Sequence, residues 1–398
     1  MDGAVSSKVG GRSDGFAWED VPMLRGFGRL LPAGLALAAL VLPASAAADD
    51  PYCTSTAYVN EPAKAAALRF GIDPELAGSV GTGQTEAAPL DESKDMAALS
   101  ALTPPGREMV LRVNRLFWSD GEEGIKRFQE IVARHDAAGF DSELQVRYHP
   151  AQGDEGNIAR WVAYVRHVVD VFGPDPHVVA MTITNEVNLD VSQNTSDGAY
   201  ARATEALIQG IVAARKEADR IGRPDLQFGF TFAYRWNPAS DARFWTTLGA
   251  APPAFRRALG FVGLDDYPGT FWPPVVPPTS SPGHELTVAL ATLRRCFMPK
   301  ARLGPAVPIW ITENGYQSGP LGDDAAQAAA LEDMVRSAAS VAGTYGVTDY
   351  RWFNLRDNRT GSPGMFDTTG VLHDDYSEKP AFGRYRDLVA AAGVSASP

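Results

Sequence analysis

The 398-residue chain predicts an α/β fold, a single-domain (β/α)8 TIM barrel, and three observations carry that prediction. Two continuous apolar runs, over 178–184 and 308–312, each lead into a glutamate, Glu186 (after Asn185) and Glu313. Such runs read as strands buried on both faces, as in parallel sheets, with the ionisable group at the carboxyl end where the interior meets solvent. Strand-like and helix-like patterns then alternate from Met109 onward, and a strand at 68–72 brings the count to eight. Finally, the sequence holds no G-x-G-x-x-G and no phosphate-binding loop, which argues against a doubly wound open sheet. Eight β-α units in about 330 residues is the size that a barrel requires.

Residues 1–48 read as a secretory signal peptide. Arg25 and Arg29 precede an apolar run over 30–42, and Ala44-Ser45-Ala46 supplies a small-x-small cleavage pattern. A run of about 13 residues is short of the ~18 to 20 that a spanning helix needs, with an uncleaved anchor as the alternative. A start at Met23 rather than Met1 would give a signal of ordinary length. Residues 49–66 form an N-terminal segment and 67–398 the barrel. In an exported chain, Cys53 and Cys296 would form one disulfide tying that segment to the body; two free thiols are the other option.

Within the barrel, the Gly- and acid-rich stretch 74–92 reads as a loop and 97–102 as a weak first helix. A strand over 109–118 precedes a helix over 124–138, whose Ile125, Phe128, Ile131 and Val132 recur at helical spacing. The strand 143–148 ends at His149-Pro150, and the helix 157–172 carries a core stripe through Trp161. After the strand 178–184 come a helix over 199–220 and a strand over 226–233, leading to Tyr234 and Trp236. The helix 239–259 is interrupted at Pro252-Pro253, because proline removes a helical hydrogen bond. Strand 261–264 runs into Asp265-Asp266-Tyr267, and a Pro-rich loop over 272–282 follows. Helix 285–297, strand 309–312, helix 324–342, strand 348–353 and helix 381–392 complete the alternation.

A formal charge of -12 and a pI near 5.0 argue against nucleic acid or an anionic membrane as partner. Six histidines occur without His-x-His, and Cys-x-x-Cys is absent, so neither a metal nor a cofactor is expected. In a barrel the strand ends gather at the carboxyl face. Those ends supply Arg112 (or Arg115), His149, Asn185, Glu186, Tyr234, Trp236, Tyr267, Glu313 and Trp352. Two carboxylates among aromatic, amide and cationic side chains describe a sugar site. Pyranose faces stack on aromatics, their hydroxyls take polar partners, and glycosidic cleavage needs one carboxyl protonated and one ionised.

Thr184-Asn185-Glu186, Ile311-Thr312-Glu313-Asn314-Gly315 and Trp352 resemble the clan A glycoside hydrolases, the retaining (β/α)8 enzymes that include families 1, 5 and 39. The resemblance implies Glu186 as general acid/base, Glu313 as nucleophile and Asn185 as donor to the sugar 2-hydroxyl. It further implies Tyr267 as hydrogen-bond partner of Glu313, Trp352 as the floor under the sugar, and His149 and Arg112 as the strand-three and strand-two residues of family 5. Two positions depart from the family 5 pattern: Asp265 stands where His-x-Tyr would place histidine, and Val187 follows Glu186 in place of proline. These departures leave the family within the clan, and the sugar, open. The expectation is a secreted, monomeric retaining glycosidase acting on a carbohydrate. A non-catalytic carbohydrate-binding barrel is the alternative, which the presence of both glutamates disfavours.

Overall fold

A computed structural model describes residues 50–74, 87–234 and 237–394. The expected signal peptide and Trp236 therefore lie outside the described residues. Eight parallel strands close into a barrel in sequence order, with the last returning to the first, so the fold is the one the alternation predicts. They are β1 (Arg69–Ile72), β2 (Met109–Phe117), β3 (Asp141–Arg147), β4 (Val178–Ile183), β5 (Gln227–Ala233), β6 (Phe261–Asp266), β7 (Ile309–Asn314) and β8 (Val347–Trp352).

The surrounding helices begin with α1 (Glu92–Leu102), α2 (Gly121–Ala137), α3 (Ile158–Phe172) and α4 (Ala203–Arg220). Next come α5 (Pro238–Gly249), α6 (Pro253–Ala258) and α7 (Pro282–Thr292), and a wide turn over 293–297 leads from α7 into the short α8 (Met298–Lys300). The series ends with α9 (Asp324–Tyr345) and α10 (Pro380–Ala392). Two boundaries shift for local reasons. Helix α1 starts earlier than its apolar pattern because Asp91 caps it, accepting from the Lys94 N–H. Helix α4 starts later because Arg202 adopts a left-handed conformation, φ 59°, which a helix cannot include.

Strand parity decides what faces where. On β5, Phe228, Phe230 and Phe232 point outward, and the Phe230 ring meets Phe244 and Trp245 of α5 and Phe255 of α6. Thr231, between them, points inward.

The barrel lumen is polar along much of its length. Arg69 pairs with Asp349 (2.7 Å), Asp349 with Arg351 (2.8 Å), and Arg351 with Glu143 (3.2 Å). Glu143 pairs with Arg112 (2.7 Å), which reaches Glu313 (3.1 Å). Six charges of alternating sign thus connect the start of β1 to the end of β7. Below them Phe261 and Trp310 stack at 3.7 Å, with Arg69 and Arg351 over the Trp310 ring.

The N-terminal segment packs outside the barrel. Cys53 is bonded to Cys296 with their Cα atoms 5.7 Å apart, and the Tyr345 hydroxyl donates to the Tyr58 carbonyl (3.3 Å). Among the described residues, no helix is long and apolar enough to cross a membrane.

Candidate active site

The carboxyl ends of β4, β6 and β7 bring three carboxyl groups together. One oxygen each from Glu186, Asp265 and Glu313 lies within 4.8 Å of the others. Glu313 is the best supplied with donors. Arg112 reaches its Oε1 at 3.1 Å and the Gln145 amide at 3.4 Å, while the Tyr267 hydroxyl donates to Oε2 at 2.8 Å. Arg112 is fully buried, which by itself would lower its pKa. The Glu143 and Glu313 charges outweigh that burial and raise it, so the guanidinium stays charged.

Glu186 is held by an unusual turn. Thr184 (φ 70°) and Glu186 (φ 46°) are both left-handed, a conformation that costs non-glycine residues about 1 to 3 kcal/mol each. The three backbone N–H groups of this turn are all met. The Thr184 N–H donates to the Val146 carbonyl (2.8 Å), that of Asn185 to Asp197 Oδ2 (2.9 Å), and that of Glu186 to Thr231 Oγ1 (2.9 Å). Burial, followed by the Asp265 and Glu313 charges, raises the Glu186 pKa well above the usual carboxylate range, against the pull of Arg147 and Arg112. The Asn185 amide oxygen accepts from Gln145 (2.8 Å) and Thr231 (3.0 Å), and its Nδ2 approaches Glu186 Oε2 at 3.4 Å.

Arg112, Asn185, Glu186, Tyr267 and Glu313 therefore form one bonded group. Three other expected residues do not join it in the same way. Tyr234 is in phase with Phe232, so it points outward into the core, where its hydroxyl donates to Thr292 of α7 at 3.3 Å. Tyr234 is therefore turned away from the carboxyl cluster. Trp352 is in phase with Tyr350, whose ring packs toward Tyr385 of α10. Its indole is fully buried, with the N–H on the Thr369 carbonyl (3.0 Å), so it offers no open face as a sugar floor. His149 belongs to an aromatic group, between Phe117 (4.6 Å) and Tyr200 (5.3 Å), with Nδ1 on Ser119 Oγ (3.1 Å). Burial and Arg147 lower its pKa.

Several members of the site were missed in the sequence. Gln145 shares the inward parity of Glu143 and is the β3 residue that reaches both Glu313 and Asn185. Thr231 is the inward residue among the β5 phenylalanines. Phe366, from the loop after β8, stands edge-on to Tyr267 at 5.1 Å, with Phe271 at 6.4 Å from it, and both rings are partly exposed. Both rings reach solvent, whereas Trp352 does not. The alternation was readable for Gln145 and Thr231, whereas Phe366 lies in a loop without periodicity.

The three carboxylates are also donors of the kind a cation would use. Two of them are already engaged, Glu313 by Arg112 and Tyr267, and Asp265 by Thr312 (2.7 Å). The arrangement fits a shared proton better than an ion.

No protein-family model matches the chain, and no characterised protein matches it in sequence. Solved structures match it in fold. A family 1 β-glucosidase from Thermotoga maritima, in complex with isofagomine lactam, aligns at TM-score 0.57 and 16% identity, over 81% of this chain and 92% of its own. GH5_18 from Streptomyces cattleya, in complex with GlcNAc, aligns at TM-score 0.57 and 14% identity, over 84% and 83%. A β-glucosidase from Exiguobacterium marinum aligns at TM-score 0.55 and 13% identity, over 81% and 98%. What the chain shares with these family 1 and family 5 structures is the barrel, the fold of the clan that its strand-end motifs resemble.

Proposed function

We propose that this chain is a retaining glycoside hydrolase that cleaves a β-linked sugar by double displacement between Glu313 and Glu186. The observation that carries the proposal is the separation of the two carboxyl groups, with an oxygen of each within 4.8 Å of the other. Retaining enzymes hold the pair about 5 to 5.5 Å apart, whereas inverting enzymes leave about 6.5 to 9.5 Å for a water.

In the first step a Glu313 oxygen attacks the anomeric carbon while Glu186 gives its proton to the departing glycosidic oxygen. The old C–O bond breaks and a glycosyl ester to Glu313 forms. In the second step Glu186 takes a proton from water, whose oxygen attacks the same carbon and releases Glu313. Arg112, Tyr267 and Gln145 hold the Glu313 carboxylate in place by hydrogen bonds, and Asn185 is the donor for the sugar 2-hydroxyl. The partly exposed Phe366 and Phe271 are candidates for stacking on the sugar or its aglycone. The bond between Cys53 and Cys296 and the apolar run before Ala44 support export, with residues 1–48 removed as a signal.

A panel of aryl β-glycosides tests turnover, and azide tests the roles. Glu313→Ala abolishes turnover, and azide restores it with an α-glycosyl azide as product. Glu186→Ala still forms the glycosyl ester from substrates with good leaving groups, and azide then yields the β-glycosyl azide. The opposite pair of products would reverse the two roles.

A further inference from the structure

Asp265 takes no part in the steps above, yet it is the third carboxyl group of the cluster. It lies opposite Glu313 in the β6–β7 register and is 2% exposed. The Thr312 hydroxyl donates to its Oδ1 at 2.7 Å, while the Thr231 hydroxyl donates to the Asn185 amide oxygen. Its Oδ2 has no hydrogen-bond partner among the described residues.

Three carboxylates this close cannot all ionise, so the cluster keeps at least one proton unless cations compensate. The cations nearby have other partners. Arg112 is the end of the luminal series and divides its contacts between Glu143 and Glu313. That series is balanced, three arginines against Asp349, Glu143 and Glu313, before Asp265 and Glu186 are counted. Arg147, from β3, faces Glu186 but is bound to Asp197 at 2.8 Å. Arg115, from the β2 bulge, faces Asp73 and Glu313, and the neighbouring Asp266 is itself buried, which pushes its pKa up and favours its neutral form.

We propose that Asp265 is a positioning residue for the catalytic proton: held by Thr312, it keeps Glu186 in the acid form between turnovers. The inference rests on the reading of Glu186 as general acid. Burial and the neighbouring charges push the pKa of both groups up. The two titrate as a pair holding one proton jointly. Hydroxyl donors favour the charged form of the group they bind. Asp265 has one at 2.7 Å from Thr312, whereas Glu186 Oε2 receives only the long contact from Asn185, so the charge rests on Asp265 and the proton on Glu186. A histidine at this position would act with the opposite sign, because its cation would help Glu186 to ionise.

The test needs no substrate. The side-chain carboxyl carbons are labelled with 13C and titrated by NMR in the full chain, in Asp265→Asn and in Thr312→Val. In Asp265→Asn the Glu186 midpoint falls by about one unit or more, a tenfold loss of proton affinity. In Thr312→Val the Asp265 midpoint rises and that of Glu186 falls, so either variant decides the matter if the other does not fold. A Glu186 midpoint within about 0.2 unit of the wild type in a folded variant overturns the inference. These shifts in a protein that hydrolyses no glycoside would remove the proposed reaction and leave the proton placement standing. Full activity without the shifts would do the reverse.

Discussion

Glu313 accepts hydrogen bonds from residues of three strands or strand ends, and Tyr267 supplies the shortest of them. Burial first, then the Glu313 charge, raises the Tyr267 pKa well above the usual phenol value. The hydroxyl therefore keeps its proton and acts as a donor throughout the working pH range. A hydrogen bond to a charged acceptor contributes about 1.5 to 3 kcal/mol. Tyr267→Phe is expected to fold normally and to lose about 10- to 100-fold in kcat/KM on an aryl glycoside. An unchanged kcat/KM would exclude Tyr267 from charge stabilisation. Glu186 sets the other limb of the pH profile. Its pKa is raised, and only the protonated form can donate, so activity falls as pH rises through that pKa. The alkaline limb of kcat/KM is thus expected above the ordinary carboxylate range, and a limb at the usual glutamate value would contradict the assignment.

The turn after β4 depends on Asp197, which accepts from the Asn185 N–H (2.9 Å), the Tyr148 N–H (2.8 Å) and Arg147 Nε (2.8 Å). One buried carboxylate thereby joins the ends of β3 and β4 and holds two left-handed residues in place. Removing one partner of a buried pair typically costs about 3 to 5 kcal/mol. Asp197→Asn is expected to lose stability on that scale in urea unfolding and to lower kcat as Glu186 drifts. A loss under about 1 kcal/mol with full activity would show that the turn holds itself. The strands and most helices were legible because apolar runs and 3.6-residue spacing state them directly. The glutamates were legible because position along a strand identifies the carboxyl end. Facing is harder to read than position: Tyr234 and Trp352 lie at strand ends, but Phe232 and Tyr350 two residues earlier already set their outward parity. The departure at Asp265 was visible, but its closeness to Glu186 required the closed barrel.

Across the whole molecule, the luminal ion pairs join residues that the sequence scatters. Arg69 and Asp349 lie 280 positions apart, and Arg112 and Glu313 lie 201 apart, so no local pattern announces either pair. The series is continuous from the solvent-touching end at Arg69, whose side chain is 22% exposed, to Glu143 and Arg112, which are fully buried. Its members should therefore differ in energetic weight. An ion pair that touches solvent contributes about 0 to 1 kcal/mol, because water screens it. Breaking a buried one leaves an uncompensated charge and costs about 3 to 5 kcal/mol. Glu143→Gln withdraws the charge that binds both Arg351 and Arg112 and is expected to be the most damaging change in the series. It should lower kcat as well, since Arg112 would be free to turn away from Glu313. Arg69→Met removes only the outer end, beside the Trp310 ring, and is expected to cost under about 1 kcal/mol with kcat unchanged. Urea midpoints and kcat for the two variants check the gradient. Equal losses of stability, or a loss of kcat only in Arg69→Met, would mean that the lumen does not transmit support to Glu313 in this order.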